Sequence, residues 1–316
     1  MDVDVVDLHW VTDGFLTIEQ IAKIEKPVVW SLYDMWAFCG TEHYGVDSPD
    51  ARWRIGYTRA NRPPNESGWD IDRDAWERKK RKWRGSHVVP ASSWLTVAAQ
   101  SSALMQDWPI TRIPHVVDQD AFAPRDRAES RRELGVPVDA PTIVFLASAG
   151  IRDRRKGFDL LEAALPAVQA THPDVQLIVA GPREIDYASP SGVPIHWLGS
   201  LAGDDALSLL YSAADVLAVP SREDNMPLTA MEAQTSGRAV VAFAIGGLPD
   251  IVAHHETGFL GPESEPETLA QGLVQALEDA RGEDLWGRAA RDRALATWSE
   301  PVVVRQYLDV YEAALR

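Results

Sequence analysis

One cysteine, Cys39, is all the thiol chemistry the sequence offers. A lone thiol closes no internal disulfide and builds no thiolate zinc site. No stretch approaches the roughly 20 apolar residues that a helix needs to cross a bilayer. The opening residues Met1-Asp2-Val3-Asp4-Val5-Val6-Asp7 are acidic and alternating, without the basic start and apolar run of a signal peptide. Basic residues are also scarce: 31 Lys and Arg face 47 Asp and Glu, for a formal net charge of -16. Nucleic-acid phosphates are met by Lys and Arg, so no nucleic-acid partner is expected. Any phosphate site in so acidic a chain must be locally basic. No Asp-x-Asp motif follows a predicted strand to suggest a nucleotide-bound metal, and no resident cofactor is expected. These absences make a cytoplasmic protein the simplest expectation.

What is present is an ordinary globular composition, 45% hydrophobic and 25% charged over 316 residues, a length that suggests two domains. In the amino-terminal part, strands are predicted at 3–8, 27–32, 87–90 and 110–113. Helices are predicted at 16–24, with Thr17 as its cap, at 74–83 and at 93–104. Residues 40–70 are rich in Gly, Pro, Asn, Asp and Trp and read as loop. The charged stretch 118–127 reads as a linker. Beyond it, strands at 142–147, 175–180, 195–198, 216–219, 239–243 and 258–260 alternate with helices at 157–171, 204–213, 228–236 and 249–253. Three helical segments follow to the last residue. This alternation implies α/β domains built from parallel βαβ units, whose ligands sit at the carboxyl ends of the strands. The expected division is 1–117, 118–300, and a terminal helix at 301–316 packing back on the first part.

Three loops after strands carry the chemistry. The first, Ala149-Gly150-Ile151-Arg152-Asp153-Arg154-Arg155-Lys156-Gly157-Phe158-Asp159, holds four basic residues just before a helix. A helix N-terminus attracts anions through its unpaired N–H groups and its dipole. Basic side chains added there make a diphosphate site; the bland alternative is a solvated basic loop. The second, Pro220-Ser221-Arg222-Glu223-Asp224-Asn225-Met226-Pro227, precedes a helix that carries Glu232. Asp224 at a strand end can accept hydrogen bonds from sugar hydroxyls, and Glu232 can hold a ribose diol as acidic residues do in dinucleotide folds. A plain helix cap for Asp224 and a surface position for Glu232 are the alternatives. The third, Ala244-Ile245-Gly246-Gly247-Leu248-Pro249-Asp250, would let backbone approach a ligand closely, or is simply a turn.

Together these loops resemble the donor domain of family 4 GT-B glycosyltransferases. The matching strings are Arg155-Lys156-Gly157-Phe158-Asp159-Leu160-Leu161, Ala213-Ala214-Asp215-Val216-Leu217-Ala218-Val219-Pro220-Ser221, Glu223-Asp224-Asn225-Met226-Pro227 through Met231-Glu232-Ala233, and Gly237-Arg238-Ala239-Val240-Val241-Ala242-Phe243 with Gly246-Gly247-Leu248-Pro249-Asp250. The amino-terminal strings Leu8-His9-Trp10, Lys26-Pro27-Val28-Val29-Trp30-Ser31-Leu32-Tyr33-Asp34-Met35-Trp36, Gly40-Thr41-Glu42-His43-Tyr44 and Pro90-Ala91-Ser92-Ser93-Trp94-Leu95 resemble the colanic-acid and exopolysaccharide branch.

The resemblance implies a GT-B fold of two Rossmann-like, doubly wound domains, the amino-terminal one incomplete. It implies a retaining, metal-free hexosyl transfer from a UDP- or GDP-sugar to a glycan acceptor, lipid-linked in that branch, in exopolysaccharide or cell-surface polysaccharide synthesis. The family's Glu-x7-Glu pair falls on Asp224, facing the donor sugar, and Glu232, on the ribose. Lys156 matches the lysine on the donor phosphates, with Arg152 preferred over Arg155 as its arginine partner. The main chain around Asn225, Met226, Pro227 and Leu228 would cap the distal phosphate. Gly181-Pro182-Arg183 and Trp197-Leu198-Gly199 lie where the family holds the base, and Gly246 and Gly247 complete the donor site. On the acceptor side, Tyr33 stands where that branch has His, and no cysteines follow the His43 motif. The family's first βαβ units are absent, so the chain reads as truncated at its start and weak in turnover.

The alternatives are a non-catalytic remnant that still binds a nucleotide sugar and a GT-B epimerase, which Asp224 and Glu232 disfavour. His9 and His43 are candidate bases near neutral pKa. Nine of the twelve tryptophans lie in residues 1–108 and read as packed core or as stacking surfaces for sugar. The run Arg78-Lys79-Lys80-Arg81-Lys82, between Trp76 and Trp83, reads as a solvated helix face or as a rest against the inner face of a membrane.

Overall fold

Side chains alternate across a strand, and that alternation organises the amino-terminal unit. In this computed structural model, which describes residues 3–182, 187–262 and 264–316, the chain divides into two units: Met1–Pro114 with Val303–Arg316, and His115–Val302. In the first, β1 (Val6–His9), β2 (Val28–Leu32) and β3 (His87–Pro90) pair in parallel in the order β1-β2-β3. Leu8, Trp30, Leu32 and Val88 enter one cluster with Phe38, Cys39, Trp53 and Trp76. The alternate residues Val29 and Val89 pack on the other face with Ile113, Val303 and Val310.

The helices of this unit are α1 (Ile18–Ile21), α2 (Arg52–Ile55), α3 (Ile71–Lys82) and α4 (Ser93–Ser101). Thr17 caps α1 as expected. Its hydroxyl accepts from Gln20 N at 3.1 Å, while the Gln20 side chain accepts from Thr17 N at 2.8 Å. Two expectations need correction. The stretch 40–70 contains α2. The predicted strand at 110–113 makes only an isolated bridge, Ile110 to Val88, because Pro109 and Pro114 bracket it and can donate nothing to a ladder.

The basic run on α3 is not a uniform solvated face. Lys79 is fully buried. Its ammonium donates to the carbonyls of Trp36, Cys39 at 3.1 Å and Gly40 at 2.7 Å, and lies 3.9 Å over the Trp36 ring. Carbonyls must take the place of water around a buried cation, and burial pulls this ammonium down to about 7. Trp76 is buried and Trp83 packs against the same cluster. Among the described residues, no helix is long and apolar enough to cross a membrane.

The second unit begins with α5 (Arg127–Leu134), β4 (Thr142–Leu146), a 3-10 turn at Arg154–Lys156, α6 (Phe158–Thr171), β5 (Gln176–Ala180) and β6 (Ile195–Gly199). It continues with α7 (Asp204–Ala213), β7 (Val216–Val219), α8 (Leu228–Thr235), β8 (Ala239–Phe243), α9 (Leu248–Ile251) and β9 (Gly258–Gly261). Helices α10 (Pro266–Arg281), α11 (Leu285–Trp298) and α12 (Glu300–Ala314) close the chain. The six strands are parallel and ordered β6-β5-β4-β7-β8-β9. Order reverses between β4 and β7, which makes the gap beyond their carboxyl ends the switch point where doubly wound sheets bind ligands.

The segment read as a linker, 118–127, belongs to this unit and leads straight into α5. Asp126 caps that helix, accepting from Glu129 N at 2.7 Å. Asp215, 3% exposed, ties α5 to the sheet. It accepts from Arg127 and Arg131, each at 2.8 Å, and from Thr142 N at 2.7 Å. Removing one partner of a buried ion pair strands the other. Asp215→Ala is therefore expected to cost about 3–5 kcal/mol of stability, measured by urea unfolding of the full chain.

Candidate functional site

The switch point is built by main chains that meet without a side chain between them. Gly157, at φ +71°, sits so close to the end of β7 that a Cβ there would lie 1.9 Å from the Pro220 carbonyl oxygen. Gly246, at φ +51°, would put a Cβ 1.7 Å from the Asp224 carbonyl oxygen, and Gly247 N donates to that same oxygen at 3.3 Å. Gly181, at φ +143°, stands equally tightly on Ala147, where a Cβ would lie 2.2 Å from the carbonyl oxygen. The loops after β4, β5, β7 and β8 are thus fixed against one another by glycine.

Within this frame the Lys156 ammonium donates to Asp224 Oδ2 at 2.7 Å. The Ser221 hydroxyl donates to the same oxygen at 3.3 Å. Asp224 is buried, and it does not cap α8: the N-cap is Pro227, with no side-chain bond. The first bonds of α8 run from Ala230 and Met231 to the Pro227 carbonyl, so the amides of Leu228 and Thr229 lie ahead of its ladder. A small cavity here is lined by Leu146, Lys156, Val219, Ser221 and Thr229. Asn225, Met226 and Pro227 are buried, and Leu228 is exposed.

The basic loop is itself braced. Asp153 caps the 3-10 turn, accepting from Arg155 N at 3.0 Å. Arg222 grips Asp159 with two bonds, at 2.8 and 2.7 Å, and reaches the Arg154 carbonyl at 2.8 Å. The Arg222 fork holds the Asp159 carboxyl below its ordinary range. The Arg155 carbonyl accepts from Arg222 N at 2.8 Å, and Arg152 is exposed. Arg222 and Ser221 were not singled out from sequence as site residues. Their place immediately after a strand in a doubly wound sheet was the available signal.

Glu232 is not a surface residue. It is half-buried on α8 and accepts from the Tyr211 hydroxyl of α7 at 2.7 Å. Burial raises its pKa, although the Tyr211 bond pulls the other way. Leu198 and Trp197 lie on β6, half-buried. Pro182 follows Gly181 at the end of β5, and Arg183 lies outside the described residues. Tyr33 and His43 belong to the other unit, each with its own partner. The Tyr33 hydroxyl is 2.8 Å from His9 Nδ1, and His43 Nδ1 is 2.6 Å from Asp34 Oδ2.

Residues 140–279, which contain all these switch-point loops, match the family profile of glycosyl transferases group 1. This stretch is a group 1 glycosyl transferase domain. The D-inositol 3-phosphate glycosyltransferase of Corynebacterium kroppenstedtii is 35% identical over 216 residues, 63% of this chain and 47% of the relative. The one from Nocardioides is 30% identical over 257 residues, 72% and 55%. The chain spans about half the length of the curated relatives it matches. These relatives are named D-inositol 3-phosphate glycosyltransferases, not after the exopolysaccharide branch that the amino-terminal strings resemble.

Among solved structures, a glycosyltransferase from Rickettsia africae superposes with a TM-score of 0.71 at 18% identity, covering 99% of this chain and 77% of that one. Sucrose-phosphate synthase from Thermosynechococcus elongatus gives 0.68 at 22%, covering 92% and 68%. Anabaena HepE, solved with UDP, gives 0.67 at 21%, covering 91% and 72%. At these identities the likeness establishes the fold, GT-B with parallel Rossmann-like sheets.

The tight approaches in the group 1 domain can be tested by contrast. Gly192, at φ +74°, has nothing within 4 Å of an added Cβ. Gly192→Ala is expected to cost only the left-handed penalty, about 1–2 kcal/mol. Gly246→Ala should cost clearly more in urea unfolding, because the Asp224 carbonyl has to move.

Proposed function

We propose that the group 1 domain binds a UDP- or GDP-sugar at the ends of β4 and β7. On this reading the chain is a retaining hexosyltransferase of the family 4 type that needs no metal or resident cofactor. The observation that carries it is Lys156 at the switch point, 2.7 Å from Asp224 and facing the start of α8. In the free protein Asp224 neutralises Lys156. An arriving diphosphate competes for the ammonium, which releases the Asp224 carboxylate to accept hydrogen bonds from the donor sugar. Lys156, the Arg152 and Arg155 side chains, and the leading amides of α8 then stabilise charge as it develops on the departing diphosphate. Glu232 takes the ribose diol, exchanging its Tyr211 bond for sugar hydroxyls, while Gly181, Pro182 and Leu198 border the base. UDP is the first nucleotide to try, since HepE was solved in complex with UDP and with UDP-glucose.

For the acceptor, the amino-terminal strings favour a glycan hydroxyl in exopolysaccharide or cell-surface polysaccharide synthesis, with a lipid-linked glycan met at the inner face of a membrane. The name of the curated relatives favours a second reading, an inositol phosphate. Product analysis by mass spectrometry with both acceptors in one assay separates the two.

Lys156→Ala is expected to weaken UDP or GDP binding by about 1–3 kcal/mol, the range for losing a charged hydrogen bond. Unchanged calorimetric affinity for both nucleotides would sink the donor assignment. Glu232→Gln should raise the donor dissociation constant with the circular dichroism spectrum unchanged. If it binds normally, the ribose is held elsewhere.

A further inference from the structure

A cavity of about 280 Å³ opens at the amino ends of β2 and β3. Doubly wound sheets hold their ligands at the opposite, carboxyl ends, so the transferase reading does not account for it. Every residue that lines it belongs to the amino-terminal unit. Ile21 and the indoles of Trp30 and Trp83 form its walls, and Glu25, Lys26 and Arg84 stand exposed at its mouth. The two indole rings are tilted at 57° with centroids 4.6 Å apart. Trp83 Nε1 donates to the Ile18 carbonyl at 3.1 Å, so this wall is held in place and its N–H is spent. What it gives an occupant is apolar aromatic surface.

The mouth has the opposite character. The two stretches that frame the cavity, 19–26 and 77–86, hold eight Lys and Arg against three Glu, in a chain of net charge -16. All of these cations except Lys79 reach solvent. Glu19 is already shared by Arg78 at 2.7 Å and Lys82 at 3.9 Å. A local surplus of positive charge on an acidic protein draws anions to this spot and turns them away elsewhere. The volume sits at the small end of the range for small-molecule sites, roughly 300–1,000 Å³. The indoles line a recess: Trp30 is 3% exposed and Trp83 is half-buried. A surface that enters a bilayer presents its apolar side chains outward, so the shape favours a single molecule over a membrane.

We propose that this cavity binds a single-chain anionic amphiphile, its apolar chain against Trp30 and Trp83 and its anionic head beside Lys26 and Arg84. The proposal is independent of the transferase reading and needs nothing from the second unit. Affinity comes from the apolar area that the chain removes from water. The cations at the mouth set the direction of entry, chain first and head outward. Ionic contact at an exposed mouth is screened by salt and chain burial is not, so added salt should weaken binding without abolishing it.

The probe is decyl phosphate, kept below the concentration at which it self-associates and titrated into the full chain by calorimetry. One molecule per chain is expected to bind. Inorganic phosphate and decyl maltoside each supply only half of the recognition and should bind weaker by on the order of tenfold or more. Arg84→Glu should weaken the probe by about tenfold with the thermal unfolding curve unchanged, since Arg84 is exposed. Ala22→Phe, on the lining of the cavity, should abolish binding by filling it. A brominated decyl phosphate should quench tryptophan fluorescence in the unaltered chain and quench it less in Trp83→Phe. Equal binding by the Arg84→Glu chain, or of decyl maltoside, overturns the proposal. So does displacement of the probe by UDP, which would place it at the switch point of the second unit. Capture of the chain by phosphatidylglycerol vesicles without one-to-one binding of the monomeric probe also overturns it, and makes the basic stretch a membrane contact. Should Ala22→Phe fail to fold, the Arg84→Glu comparison decides.

Discussion

The switch-point arrangement of the second unit depends on contact between bare main chains at the ends of the parallel strands. A carbonyl oxygen and a glycine Cα can approach to a distance that no side chain tolerates. At Gly157 that approach fixes the end of the loop after β4 against the start of the loop after β7, and at Gly246 it fixes the loop after β8 against the loop after β7. Lys156 and Asp224 are placed by it. Their pairing is a local consequence of two loops held at a set separation, with Arg222 and Asp159 bracing the outside of the same junction. The glycines matter more through the distance they permit than through any freedom they keep.

Burial of charge is the second organising theme, and each unit solves it in its own way. In one, Asp215 is met by two guanidinium groups and a backbone amide. In the other, Lys79 is met by carbonyls and indole faces. Each charge joins segments far apart in sequence. Arg127 and Arg131 bind α5 to the start of β4, and Lys79 binds α3 to the turn after β2. Groups that would be costly alone become joints once satisfied.

Much of the second unit was legible because its strands are largely continuous apolar runs, the pattern of sheets covered on both faces. Thr17 announced its helix through a local capping signal. Helix α5, Arg-Ala-Glu-Ser-Arg-Arg-Glu-Leu, escaped because it is mostly charged. What buries its Arg131 is the distant Asp215, which no local period reveals. Lys79 was hidden among exposed neighbours of the same charge for the same reason. Asp7, His9 and Ser31 were visible as residues, but only the pairing of β1 with β2 brings them together.

The single thiol has a use that follows from its place. Cys39 is fully enclosed, burial pushes its ionisation up, and its carbonyl is one of those gripping Lys79. A thiol in that state meets an alkylating reagent only when its surroundings part. No other thiol competes for the reagent. The rate of alkylation therefore reads out how often the amino-terminal unit opens, and is silent about the other unit. Comparing that rate with and without a nucleotide would report whether occupancy of one unit steadies the other.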